Sequence, residues 1–175
     1  MSQTLVAPAK AAPRDADLAF EELYRSSRDD VYAYVAGMLR DRSAAEDVTA
    51  AAFERAYRKR NRFDARRGTH RAWLFGIARN ATLDELRRRG RQARLATEPE
   101  DANLVTAVDV AEESDRRLEL RRALATLPGR DRELIALKFF AGLSNAEIAS
   151  ALNCSESNAG TRLHRAVSKL REAMA

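Results

Sequence analysis

A single cysteine, Cys154, among 175 residues excludes an internal disulfide and points to a reducing compartment. Only two histidines occur, His70 and His164, far apart and both in arginine-rich settings, so no metal-ligand cluster is spelled out. None of the seven glycines forms a GxGxxG or Walker pattern, which removes the phosphate-cradling loops. The acidic pairs Glu46-Asp47 and Asp84-Glu85 are adjacent in sequence, and adjacent side chains on a helix point apart. They read as interaction or solvated residues and not as an acid/base couple. These absences argue against an enzyme, a bound metal or a cofactor. No apolar run approaches the roughly eighteen residues that span a bilayer, so no membrane insertion is expected. The opening MSQTLVAPAKAAPR also lacks the apolar core of a signal peptide, and a cytoplasmic protein is expected.

What is present is charge, and it is segregated. Thirty-one Lys and Arg against 26 Asp and Glu give a net charge of only +5. Yet Arg55 to Arg94 holds fourteen basic residues against Asp64, Asp84 and Glu85. From Leu95 to Leu120 the balance reverses, with eight acids facing Arg116 and Arg117. The basic block suits a polyanion and the acidic one suits a tether, although many basic faces are merely solvated.

No useful length alternates with period two, so an all-α chain is expected. Residues 1–16 are rich in Ala and Pro and read as a tail. Residues 17–91 form a first helical domain. Leu18, Phe20, Leu23 and Tyr24 mark one short helix, and Val31, Tyr32, Val35, Met38 and Leu39 a second. Ser43 with Glu46 reads as a capping box opening a third helix through Val48, Phe53 and Tyr57. A cationic loop, RKRNRFDARRG from Arg58 to Gly68, carries Phe63 alone among charges. A fourth helix follows from about Thr69 to Arg89, with Trp73, Leu74, Ile77, Ala78 and Ala81 as its buried stripe and Gly90 at its end. Residues 92–113 contain Pro99 and lack an amphipathic period, as a linker would. Residues 114–175 form a second domain: a helix through Leu118, Leu124 and Leu127, another from Pro128 through Leu134, Leu137, Phe139 and Phe140 to Gly142, and then a helix pair.

That pair, Ser144 to Arg171, has helix-turn-helix spacing. Ser144 and Glu147 form a capping box, Asn153-Cys154 allows only a sharp corner, and Ser155 caps a second helix whose stripe is Ala159, Leu163, Ala166, Val167 and Leu170. Opposite lie Ser157, Asn158, Thr161, Arg162, His164 and Arg165, side chains of the kinds that reach bases and phosphates in a major groove. The bland alternative is a helical hairpin with a solvated face; a capping box, tight turn and basic second helix in that order favour DNA. In the first domain, a cationic loop with an aromatic, beside a helix bearing Arg79 and Asn80, fits single-stranded nucleic acid. Trp73 falls on the buried stripe and is expected in the core, whereas no stripe claims Phe63.

Three segments in this order carry a family resemblance: AEDVTAAAFERAY (45–57), RAWLFGIARNATLDELRRR (71–89) and LPGRDRELIALKFFAGLSNAEIASALNCSESNAGTRLHRAVSKLRE (127–172). The chain resembles the extracytoplasmic-function sigma factors of the sigma-70 family from Leu18 to Glu172, apart from the linker. The resemblance implies two small domains, region 2 and region 4, acting with core RNA polymerase at promoter DNA. Region 2 would bind the clamp helices of the largest subunit through Glu46, Asp47 and Arg55, with Phe53 in its own core. It would open the −10 element through Arg60, Arg62, Phe63, Arg66, Arg67, Arg71, Arg79 and Asn80. Region 4 would bind the flap of the second-largest subunit and read the −35 element through Ser157, Asn158, Thr161, Arg162, His164 and Arg165. An anti-sigma factor is an optional further partner. Ala50 and Ala51 stand where relatives commonly carry Gln-Glu, and Gly160 where they carry Lys or Arg. A stand-alone helix-turn-helix regulator is the competing reading; it would have no need of the loop and helix at 58–89.

Overall fold

The computed structural model describes residues 15–95 and 115–175, and every regular element among them is helical. The expected tail lies almost wholly outside the described residues, as does the expected linker from residue 96 to its end. Three long helices come first: α1 (Asp15–Leu39), α2 (Arg42–Lys59) and α3 (His70–Leu95). Four more follow, three short and a last one as long as α2: α4 (Asp115–Thr126), α5 (Gly129–Ile135), α6 (Asn145–Leu152) and α7 (Glu156–Ala173).

α1 is one helix where two were expected. Leu23, Ser27, Val31, Tyr34, Val35 and Met38 are all buried and recur at three- and four-residue steps. Ser27 sits in the stripe as its one polar member, and no Pro or Gly interrupts the chain there, so nothing stops the helix between the two apolar groups. Arg40, at φ +55°, ends it.

The start of α2 also differs from expectation. Its cap is Asp41, whose carboxylate accepts from the Ala44 amide at 3.1 Å, while Glu46 pairs instead with Arg42. A carboxylate in extended backbone directly ahead of the helix takes an orphan amide of its first turn, and the helix has begun before Ser43 could cap it. The buried face is Ala45, Val48, Ala52, Phe53 and Ala56, with Phe53 edge-on to Tyr24 at 4.8 Å.

α3 runs through Gly90 to Leu95, so Gly90 is not its terminator. Glycine ends a helix when it adopts the left-handed conformation; here that conformation belongs to Arg40, Gly142 and Asn153, and Gly90 merely weakens the helix by about 1 kcal/mol against Ala. The buried residues of α3 include Ala72, Leu74, Phe75, Ala78, Ala81 and Thr82.

In the second half, Pro128 stands as the cap of α5, just ahead of its first turn. α5 then widens into a π turn, Ala136–Phe140, closed by the Ala141 amide donating to the Ala136 carbonyl at 3.0 Å. The π turn rotates Phe139 outward, so the expected core residue is 61% exposed. Gly142, at φ +66°, reverses the chain into α6.

The two helical groups pack together. One apolar cluster runs without a break from Val31, Tyr34, Leu74 and Phe75 of α1 and α3 to Leu137, Leu143 and Ile148 beyond α5. α6 lies on α3, and the π turn lies on α1. A smaller cluster of Leu124, Leu127, Ile135 and Ala166 holds α4 to α5 and α7.

Candidate nucleic-acid interface

The loop between α2 and α3 is built from two 3-10 turns, Arg60–Arg62 and Ala65–Arg67. Asp64 organises the second turn: its carboxylate accepts from the Arg66 amide at 3.0 Å and from the Arg66 guanidinium at 3.0 and 3.2 Å. Those bonds, the guanidinium's first, hold the Asp64 carboxyl below its ordinary range. Gly68, at φ +139°, takes a conformation that a side chain would oppose, and Thr69 then caps α3 through the Ala72 amide at 3.1 Å.

Phe63 is half-buried in this loop. Its ring stacks on the His70 imidazole, centroids 3.6 Å apart at 23°, and meets Trp73 edge-on at 5.8 Å. Trp73 is itself only half-buried, at the mouth of a cleft, so its place on the stripe did not put it inside. The cleft has a volume of about 640 Å³. Arg62, Phe63, Arg67, Trp73 and Asn80 line one wall; Ser150, Asn153 and Cys154 stand on the other. Trp73, Ile77 and Asn80 share a face of α3 through their three- and four-residue spacing.

The remaining cationic candidates divide. Arg66 is exposed and held by Asp64. Arg60 points inward, with Nε 2.6 Å from Asp17 and its guanidinium 3.9 Å above the Tyr57 ring. Arg71 pairs with Asp30 at 2.8 Å and also donates to the Ala141 carbonyl. Arg79 is engaged by Glu133 of α5. Arg62, Phe63, Arg66, Arg67 and Asn80 therefore share one loop-and-helix surface, while Arg60, Arg71 and Arg79 sit in ion pairs behind or beside it.

The second surface is the exposed side of α7. Ser144 and Glu147 form the capping box at both of its bonds, 3.2 and 3.0 Å, and Asn153 makes the corner in the left-handed conformation. Ser155 caps α7 through the Asn158 amide at 3.2 Å. Ala159, Leu163 and Ala166 are buried, which turns Ser157, Asn158, Thr161, His164 and Arg165 to solvent and leaves Arg162 half-exposed. On the third surface, Glu46, Asp47 and Arg55 are exposed along α2, with Arg55 3.7 Å from Asp84. Among the described residues no group of three or more His, Cys, Asp or Glu could hold a metal, and no helix is long and apolar enough to cross a membrane.

The sequence profile of sigma-70 region 2 matches residues 23–92, and that of sigma-70 region 4 matches residues 117–170. The ECF RNA polymerase sigma factor SigE of Mycolicibacterium smegmatis is 35% identical over 161 residues, covering 89% of this chain and 62% of that protein. SigM of Bacillus subtilis, another ECF sigma factor, is 28% identical over 155 residues, covering 88% and 94%. The chain belongs to the extracytoplasmic-function sigma factors of the sigma-70 family.

A sigma factor has a structural counterpart in RpoE of Bartonella quintana, solved in complex with the anti-sigma factor NepR, at a TM-score of 0.72, 23% identity and coverage of 89% and 96%. That likeness concerns the fold. Region 2 of the sigma factor is α1 to α3 and region 4 is α4 to α7. A stand-alone helix-turn-helix regulator would leave the region 2 match at 23–92 without a use, and that reading is set aside. Sequence reading missed Glu133, Tyr34 and Gly37, which join the two regions. A signal existed for the first: Glu133, Leu137 and Phe140 recur at four- and three-residue steps, which puts an acid on an apolar stripe.

Proposed function

We propose that this chain acts as a promoter-specificity factor: it brings core RNA polymerase to a start site, opens the −10 element with region 2 and anchors on the −35 duplex with region 4. The observation that carries this reading is the pairing of two different nucleic-acid surfaces in one chain. One is a cationic loop that carries the aromatic Phe63, with the amide of Asn80 on the helix that follows it. The other is a convex helix face of short polar and cationic groups, the shape that enters a major groove. A regulator that only occupies duplex needs the second and not the first.

In this reading Arg62, Arg66 and Arg67 follow phosphates of the displaced strand, and Phe63 and Asn80 hold a base by stacking and amide contact. Arg60, Arg71 and Arg79 reach the strand only on leaving their present partners. On region 4, Arg162, His164 and Arg165 meet base edges and phosphates, and Ser157, Asn158 and Thr161 set the register of the helix. Asp47, with Glu46 and Arg55 beside it, offers the clamp helices an exposed charged face. The flap of the second-largest subunit takes region 4, and an anti-sigma factor is an optional third partner. The protein supplies binding energy and strand separation and no chemistry of its own, and it works in the cytoplasm beside the polymerase.

Titration of purified core polymerase with the chain tests the assignment, followed by run-off transcription from promoters it selects in a genomic library. Stable association and discrete start sites are expected. No association and no start-site selection would reject it.

A further inference from the structure

We infer that this sigma factor is held closed by an interdomain latch centred on Glu133, and that the −10 loop receives a strand only after the latch opens. The consequence for the strand rests on the function proposed above; the latch itself rests on the packing of region 4 against region 2. Glu133 of α5 has 4% of its side chain exposed. It accepts from Arg79 Nε at 2.6 Å, from a second guanidinium nitrogen of Arg79 at 3.4 Å and from the Tyr34 hydroxyl at 3.5 Å. Burial, then the Glu133 charge, pushes the Tyr34 hydroxyl up, so it stays a donor.

Two further contacts close the same seam. Phe140 lies against Gly37 of α1, where a Cβ would sit 2.6 Å from the ring. Ser150 of α6 donates to the Arg67 carbonyl at 3.0 Å, and a Cβ on Gly68 would lie 2.5 Å from its oxygen. The closed state therefore depends on the loop proposed to capture DNA and on two positions without a side chain. Its geometric effect is one-sided. α6 forms a wall of the cleft bordered by Phe63 and Asn80, while the outer face of α7 stays in solvent. In this form the duplex-reading surface is available, whereas a strand reaching Phe63 has to enter a cleft walled by α6, with Arg62, Arg67 and Asn80 exposed along it.

The seam is mixed. Leu137, Leu143 and Ile148 give it an apolar core against α1 and α3, and beside that core stands an ion pair, which adds little net stability over well-packed hydrocarbon. Glu133, Arg79, Arg71 and Arg40 regain water on opening, which offsets part of the cost of exposing the apolar groups. Arg40 donates across the seam to the Arg121 carbonyl at 2.8 Å, yet it also faces Arg132. Burial first, and the Arg40 charge second, depress the Arg132 guanidinium, a repulsion that opposes closure.

The test uses the full chain with Cys154→Ser and spin labels at Ala50→Cys and Glu172→Cys, one on each region. Pulsed-electron distance distributions are compared for this background, Glu133→Gln and Gly37→Ala. The second variant guards against a folding failure, because Ala strengthens α1 while its Cβ obstructs Phe140. A single short distance in the background and a long-distance population raised about tenfold or more in both variants are expected. Identical distributions in all three, or a background already at the long distance, would overturn the latch. Anisotropy with a short fluorescent single-stranded oligonucleotide is read alongside, with about tenfold tighter binding expected in both variants. Longer distances with unchanged oligonucleotide affinity would uphold the latch and reject the strand-binding reading of the loop.

Discussion

Glu133 of α5 and Arg79 of α3 meet at 2.6 Å across the boundary between regions 4 and 2, 54 residues apart in sequence, with the glutamate almost wholly shielded from water. Removing one partner strands the other in a place of low polarity, so the two residues should behave as a unit. A double-mutant cycle of Glu133→Ala and Arg79→Ala in urea unfolding should show a coupling of about 0.5–3 kcal/mol. The single losses are bounded, because the regions can part and hydrate the remaining charge. Additive single effects would show that the pair is not coupled.

The loop stack gives a second expectation. Phe63→Ala removes the ring that lies on His70 and borders the cleft. Affinity for single-stranded −10 DNA in the polymerase complex should fall by about 1–3 kcal/mol, with −35 duplex binding unchanged. An equal loss on both probes, read by fluorescence anisotropy, would mean that Phe63 serves folding alone.

On region 4, Arg165→Ala should weaken −35 duplex binding by about 1–3 kcal/mol and relax selectivity if the guanidinium meets a base edge. A uniform loss across all sequences in a competition assay would place the contact on phosphate instead.

The start of α2 offers a test of local structure. Asp41→Ala should cost about 1 kcal/mol, because its carboxylate caps the Ala44 amide, whereas Ser43→Ala should be nearly neutral. Thermal melts of the two variants check this, and a larger loss at Ser43 would restore the capping box that the sequence suggests.

Acid sensitivity has a defined place in α3. Glu85 accepts from Arg88 at 2.7 Å and Arg89 at 2.8 Å, and these bonds, that of Arg88 first, hold its carboxyl down at about 2. A folded-state value below the unfolded one stabilises the fold at neutral pH, and the contribution is lost as pH falls from about 4.5 through 2. Glu85→Gln should cost about 1 kcal/mol at pH 7 and have no effect near pH 2, read from denaturation midpoints. A loss independent of pH would show that packing and not charge is at stake.

These outcomes also mark what the sequence could convey. The helix-turn-helix was legible to the residue, because its capping box, left-handed corner and second cap are local patterns from Ser144 to Ser155. The cationic loop was legible as a surface, but its use of Asp64 to fold back on Arg66 and the stacking of Phe63 on His70 were not. Helix ends were less clear. Ser27 broke the apolar pattern of α1 without breaking the helix, and Gly90 resembled a terminator without adopting a left-handed backbone. Periodicity describes one helix at a time, so it assigned two modules and said nothing of the seam between them. For the same reason the ion pairs of three arginines placed among the strand contacts, Arg60, Arg71 and Arg79, were not legible: their partners Asp17, Asp30 and Glu133 lie 43, 41 and 54 positions away.

Strand opening is the act on which the functional account turns, and permanganate footprinting measures it directly. With core polymerase and this chain on a promoter selected by run-off, thymines of the −10 element should become reactive only when both proteins are present, and Asn80→Ala should reduce that reactivity. Thymines that stay unreactive while the complex occupies the promoter would contradict the account.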